Sequence, residues 1–161
     1  MSGIQTIKQA RDYIASNRNE GVYCPCCSKF VKAYRRKINA TQAAALIWLV
    51  RMTEIAGRSF AHVPSEAPRT VVRSNQLSTL KHWGLVENVP GITGDDGNTT
   101  ESGAWKPTQL GIDFVYKNAT VPSHVVIADD QTLNPDAGPQ VNVITVLGNK
   151  FNYDTLINFQ G

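Results

Sequence analysis

Residues 39–57 read NATQAAALIWLVRMTEIAG, and this stretch decides how the rest of the chain can fold. Asn39 and Gln42 occupy the two positions of a helix-capping motif, in which each side chain bonds the other residue's backbone N–H. The apolar run over residues 43–52 leaves little polar surface, so we expect this helix to lie centrally in the core. Gly57 is placed to end the helix in a left-handed conformation.

Shorter elements are predicted on both sides of this helix. Residues 6–17 space their apolar side chains by three and four, as an amphipathic helix does. Residues 70–83 read as another helix whose inward side chains are Val71, Val72, Leu77 and Leu80. The elements predicted next are a strand at residues 85–89, a turn-rich loop at 90–103, a strand at 103–107 and a helix that Thr108 caps.

Three cysteines lie within four residues, as Cys24-Pro25-Cys26-Cys27. With no distant cysteine for a disulfide, they indicate a reducing compartment. Cys24 and Cys27 have the two-residue spacing of a zinc knuckle, in which both thiolates bind one tetrahedral ion. Cys26, His62 and His82 are the candidates for the remaining ligands. Ordinary buried thiols, or a redox or nucleophilic cysteine, are the alternatives.

The charges of the chain are divided unevenly along its length. Residues 1–81 carry 13 Lys or Arg against 4 Asp or Glu, a net of +9, whereas residues 82–161 carry 3 against 9, a net of −6. This asymmetry favours a basic face for nucleic acid and an acidic part that faces elsewhere. The alternative is that the charges scatter over a solvated surface.

Basic and amide side chains concentrate in two windows, residues 29–37 and the helix predicted at 70–83. Such side chains can bond base edges or phosphates in a major groove, although a merely solvated helix face is the alternative. Lys106 would approach the DNA backbone if the long loop touches a DNA groove. Asp95 and Asp96 in that loop would repel phosphates. The predicted nucleic-acid contacts are Arg35, Arg36, Lys37, Arg69, Arg73, Asn75, Gln76, Thr79, Lys81 and Lys106.

No motif for catalysis is found in the sequence. It has no Gly-rich phosphate loop and no His-Glu metalloprotease motif, and its aspartate pairs fit solvated turns. We therefore predict no catalytic residue and expect no enzyme. No apolar run approaches eighteen residues, and the first residues lack a signal-peptide pattern, so we expect neither membrane insertion nor export.

Together these elements predict an α+β chain. The order helix, helix, strand, long loop, strand is that of a winged helix-turn-helix, with the loop as the wing. Residues 121–128 and 141–147 are rich in Val and Ile and are predicted as two further strands. We expect a zinc-knuckle and winged-helix-like domain over residues 1–120, and a small β-rich C-terminal extension over residues 121–161 packed on the same core.

Several motifs resemble a family of small proteins from tailed bacteriophages and prophages. They are CPCC at residues 24–27, KAYRR at 32–36, HWGLVE at 82–87, SGAWKPTQLG at 102–111 and KFNYDTL at 150–156. The resemblance covers residues 23–156 and implies a phage protein in the cytoplasm of a bacterial host, with no activity to carry over.

Three hypotheses follow from these observations, and an enzyme is the least supported of them. The first is a non-enzymatic DNA-binding or regulatory protein with a structural zinc ion and double-stranded DNA as its partner. The second is a protein-interaction module that captures or inhibits a host or phage protein through the acidic half, because winged helices serve both purposes. The sequence is also compatible with a homodimer.

Overall fold

The structure is a computed structural model, and it describes residues 6–69, 71, 76–90, 103–128 and 131–159. Its helices are α1 (Ile7–Asn17), α2 (Ala40–Ala56), α3 (Val63–Glu66), α4 (Gln76–Thr79), α5 (Gln109–Val115), α6 (Val143–Leu147) and α7 (Tyr153–Ile157), with a 3-10 helix at Leu80–Trp83. Its strands are β1 (Val22–Tyr23), β2 (Phe30–Val31), β3 (Tyr34–Lys37), β4 (Ala61–His62), β5 (Val86–Asn88), β6 (Ala104–Pro107), β7 (Val121–Pro122), β8 (His124–Ala128), β9 (Gln131–Asn134) and β10 (Gln140–Val141). The predicted α+β class is confirmed.

The central helix α2 begins and ends where its sequence predicts. The Asn39 side chain accepts a hydrogen bond from the Gln42 N–H, and the Gln42 side chain accepts one from the Asn39 N–H. Gly57 ends the helix with φ at 66°. Leu46, Ile47 and their neighbours are buried all around the helix, so α2 is the centre of the core rather than a surface helix.

A three-stranded antiparallel sheet in the order β4-β6-β5 lies beside α2. β6 is its middle strand, with Ala61 opposite Trp105 and Glu87 opposite Lys106. Helix α5 follows β6, and the Thr108 side chain caps it by accepting from the Gly111 N–H, as predicted. Only glycine fits at position 111, because a Cβ atom there would collide with the carbonyl oxygen of Leu85.

A second three-stranded sheet, in the order β3-β8-β9, joins the two halves of the chain. The basic strand β3 pairs antiparallel with β8, with Tyr34 opposite Ile127 and Lys37 opposite His124. Residues from 121 onward also enter the core that surrounds α2, through Val121, Val125, Val143 and Leu147. Residues 34–37 of the basic window are therefore held in place by strand β8, about ninety positions later in the sequence.

One predicted strand is wrong. Within residues 141–147, only Val141 belongs to a strand, β10, and Val143–Leu147 form helix α6. Asn142 caps this helix by accepting from the Thr145 N–H. Val143 and Leu147, four positions apart, are both buried, so one helical face meets the core. A short Val- and Ile-rich run does not distinguish a strand from a buried helix.

The helix predicted at residues 70–83 is described only in part. Its described end is α4 followed by the 3-10 helix, and Gly84 ends it with φ at 73°, as predicted. The inward residues Val71, Leu77 and Leu80 are buried. Val72, Arg73 and Asn75 lie outside the described residues, as does most of the predicted loop, residues 91–102.

Candidate nucleic-acid interface

A groove of about 560 Å³ opens between strand β3, the start of α2 and the segment formed by α4 and the 3-10 helix. Three of the lining residues are the consecutive cations Arg35, Arg36 and Lys37, all of them exposed. The complete lining comprises Tyr34, Arg35, Arg36, Lys37, Asn39, Gln42, Gln76, Thr79, His82, Trp83 and Ile127. The groove thus combines the basic window with the helix that was predicted to read DNA.

The cations of β3 are positioned by contacts with aromatic and backbone groups. Arg35 donates from Nε and Nη2 to the carbonyl oxygen of Ala137, over 3.0 and 2.8 Å. Arg36 and Lys32 lie over the Tyr34 ring, 5.0 and 5.5 Å from its centroid. Four like charges within six residues repel one another, so an anionic ligand along this strand would relieve their repulsion.

A polar network forms the side of the groove that faces the cations. Asn39 Nδ2 donates to Gln76 Oε1 over 3.2 Å, and Gln42 Nε2 donates to Thr79 Oγ1 over 2.5 Å. Thr79 in turn donates to the carbonyl oxygen of Gln76. The capping pair of α2 therefore also fixes the position of α4. Asn39 bonds the side-chain oxygen of Gln76. The donor group of the Gln76 side chain is its Nε2.

His82 and Trp83 close one end of the groove and are both almost fully buried. His82 Nδ1 lies 2.7 Å from Thr132 Oγ1, and Trp83 Nε1 donates to the carbonyl oxygen of Pro122 over 2.9 Å. These bonds connect the 3-10 helix to the C-terminal strands. They stabilise the wall of the groove and leave little of either ring for a ligand to contact.

The structure brings five of the ten predicted nucleic-acid contacts into the groove: Arg35, Arg36, Lys37, Gln76 and Thr79. Arg69 and Lys81 are exposed but do not line it. Lys106 lies in the β4-β6-β5 sheet instead, with its Nζ 3.4 Å from Glu87 Oε2. Arg73 and Asn75 are outside the described residues.

Three residues that were not predicted as contacts also line the groove: Tyr34, Asn39 and Gln42. The sequence identifies Asn39 and Gln42 only as a helix cap, because their second role depends on the packing of α4 against the start of α2. Tyr34 had a visible signal, since it is an aromatic residue placed between Lys32 and Arg35. Aromatic residues interleaved with cations are typical of nucleic-acid contacts.

The three cysteines lie at the turn of the β1-β2 hairpin. Cys24 is half-buried, whereas Cys26 and Cys27 are exposed. Hydrogen bonds from the backbone N–H groups of Cys27 and Cys26 to the Cys24 sulfur lower the pKa of that thiol. Cys24 and Cys27 also line a cavity of about 340 Å³ together with Arg11, Arg18 and Lys29.

Neither predicted histidine ligand is brought to the cysteines. His62 is in β4, where its Nδ1 lies 2.6 Å from Ser65 Oγ, and His82 is bonded to Thr132 as described above. Among the residues that the structure describes, no three His, Cys, Asp or Glu side chains are grouped so as to hold a metal ion. The spacing of Cys24 and Cys27 thus remains the basis of the zinc prediction.

No helix in the described part of the chain has both the length and the apolar character needed to span a bilayer.

Comparisons with protein-family models, with curated proteins and with solved structures find no match to this chain. Its function is therefore inferred from its own groove and knuckle.

Proposed function

We propose that the chain is a non-enzymatic, phage-encoded protein of the bacterial cytoplasm that binds double-stranded DNA through the groove. The observation that carries this proposal is that Arg35, Arg36 and Lys37 share one groove with Gln76 and Thr79. Cations supply phosphate affinity that carries no sequence information, whereas amide and hydroxyl side chains can bond base edges. The groove offers both kinds of group.

The order of elements supports a winged-helix unit as the carrier of this groove. The described elements from residue 40 run α2, β4, α3, α4 with the 3-10 helix, β5 and β6. β5 and β6 pair antiparallel, and β4 adds to the far edge of β6. In a winged helix the helix before the β5-β6 hairpin is the one that approaches DNA. The described segment before this hairpin is α4 with the 3-10 helix, and α4 supplies Gln76 and Thr79 to the groove.

Fluorescence anisotropy with a labelled duplex at several salt concentrations tests this proposal. The variant Arg36→Ala with Lys37→Ala removes two groove cations, and it spares Arg35 because that side chain also bonds Ala137. If both side chains contact phosphates, the log-log salt slope should fall by about two.

A matched control removes the same charge elsewhere. Lys8→Ala with Lys117→Asn also deletes two exposed lysines outside the groove. Asn tolerates the left-handed backbone of residue 117, where φ is 65°. Equal loss of affinity in both double variants would mean that net charge, rather than the groove, drives binding.

A wild-type protein that binds no duplex at low salt but pulls down a host or phage protein would establish the interaction module instead.

A further inference from the structure

The cysteines lie on a tight turn between β1 and β2 that backbone hydrogen bonds hold in place. β1 and β2 pair with Val22 opposite Val31. The Cys24 N–H donates to the carbonyl oxygen of Lys29 over 2.7 Å, and the Ser28 N–H donates to that of Cys24 over 2.9 Å. Ser28 takes the left-handed conformation, with φ at 63°. This tight turn holds the two cysteines of the Cys-x-x-Cys spacing on one short loop.

A structural zinc ion needs four protein ligands, and this loop supplies two at the knuckle spacing. The described part of the chain adds no His, Asp or Glu to them. His62 and His82 are in other elements and bonded to hydroxyl groups. Cys27 is exposed, so the open side of such a site faces solvent. Ligands from a second molecule can therefore reach it.

We propose that Cys24 and Cys27 from each of two copies of this chain bind one zinc ion together. This inference rests on the zinc prediction and is independent of DNA binding by the groove. A second copy is the occupant we favour because it presents an identical pair of thiols, and a two-fold axis through the ion completes a tetrahedral Cys₄ site. Binding releases one proton from each of the four thiols and leaves a centre with a net charge of −2.

The charges around the knuckle are suited to such a centre. Arg11, Arg18 and Lys29 line the same cavity as Cys24 and Cys27. A zinc ion with four thiolates is an anion, and cations close to it offset its charge. Without the zinc-thiolate centre, the like charges of these three side chains on the two copies repel each other. Association of the two copies should therefore depend on the metal.

Zinc titration of the reduced, oxygen-free full-length protein tests the proposal, with bound metal and molecular mass measured on the same samples. The expected result is one zinc per two chains, together with a doubling of the mass from 17.7 kDa that a chelator reverses. Co²⁺ in place of zinc should show the absorption bands of a tetrahedral four-thiolate site. Cys24→Ser with Cys27→Ser should abolish both metal binding and dimer formation.

Two variants serve as controls. Cys26→Ser alters the third cysteine of the same turn and should retain the metal-linked dimer. Arg36→Ala with Lys37→Ala weakens the groove and should leave the zinc stoichiometry unchanged, so failure of DNA binding does not affect this test. One zinc per monomer, no bound zinc, or loss of the dimer in Cys26→Ser would each overturn the shared site.

Discussion

At the residue scale, Gln42 shows how one buried polar side chain serves both stability and site geometry. It is only 4% exposed, yet its amide accepts from the Asn39 N–H and donates to Thr79 Oγ1. A buried amide destabilises the protein unless its hydrogen bonds are made. The Gln42 side chain therefore links the cap of α2 to the polar network of the groove. Gln9 makes the equivalent cap with Thr6 at the start of α1, but on an exposed surface.

We predict that Gln42→Ala lowers the free energy of unfolding by ~1–3 kcal/mol, since it removes the cap bond and leaves Thr79 without its donor. Gln9→Ala, which deletes the same capping role where water can replace it, should cost less than about 1 kcal/mol. Urea denaturation of both variants measures the difference. Equal losses would show that the bond to Thr79 contributes nothing.

His124 provides a second prediction at this scale. Its burial, followed by the positive charges of Arg35 and Lys37, lowers the pKa of the imidazole in the folded protein. The unfolded chain therefore binds a proton first as the pH falls. The contribution of His124 to stability is complete above about pH 6.5, its ordinary pKa, and is lost as the pH falls toward the lower folded value.

The corresponding variant is His124→Gln, whose amide can still bond Ser123 Oγ, the present partner of Nδ1 at 2.7 Å. Its free energy of unfolding should depend less steeply on pH between 5 and 7 than that of the wild type. Urea titrations at pH 5, 6 and 7 measure this. Parallel pH profiles for the two proteins would contradict the prediction.

At the element scale, the packing of α5 against the end of the 3-10 helix requires a glycine, Gly111, which has no side chain. The Thr108 hydroxyl donates to the carbonyl oxygen of Gly84, and the Thr108 N–H donates to that of Leu85. These bonds draw the first turn of α5 so close to Leu85 that only glycine fits at position 111. Helix propensity alone would favour alanine there, so tertiary contact overrides local preference.

We predict that Gly111→Ala destabilises the protein by ~1–3 kcal/mol, because the added methyl group forces backbone atoms apart. Leu110→Ala changes the adjacent, exposed residue of the same helix and should cost much less. Thermal denaturation of both variants compares them. A stabilised Gly111→Ala protein would mean that α5 can shift away from Leu85 at no cost.

At the scale of the whole molecule, the N-terminal cations and the C-terminal strands form one unit. β3 has its described sheet partner in β8, and Val121, Val125, Val143 and Leu147 complete the core around α2. The acidic half of the sequence is therefore interleaved with the basic half, and the +9 and −6 segments do not form separate bodies. Arg35, Arg36 and Lys37 are exposed on β3, which is an edge strand of this sheet.

A fragment of residues 1–120 should consequently fail to fold cooperatively, since it loses β8 and four buried core residues. Near-ultraviolet circular dichroism and urea denaturation should show no sharp transition. A fragment of residues 1–159 serves as the control and should unfold like the full chain. A cooperative transition in the 1–120 fragment would show that the first 120 residues form an independent domain.

The amino-acid sequence by itself determined the elements whose signals are local. The cap of Asn39 and Gln42, the end of α2 at Gly57, the strand β5 and the cap of α5 at Thr108 each depend on residues a few positions apart. The cysteine spacing and the charge division are likewise readable without a structure.

Tertiary structure alone decided which of these parts meet. Tyr34 and Ile127 pair across more than ninety residues, and no local pattern records such a partner. The same holds for Val143–Leu147, where burial of one face selected a helix from a run whose composition also suits a strand. The groove exists because long-range pairing places β3 opposite α4, and the separation of His62 and His82 from the cysteines has the same cause.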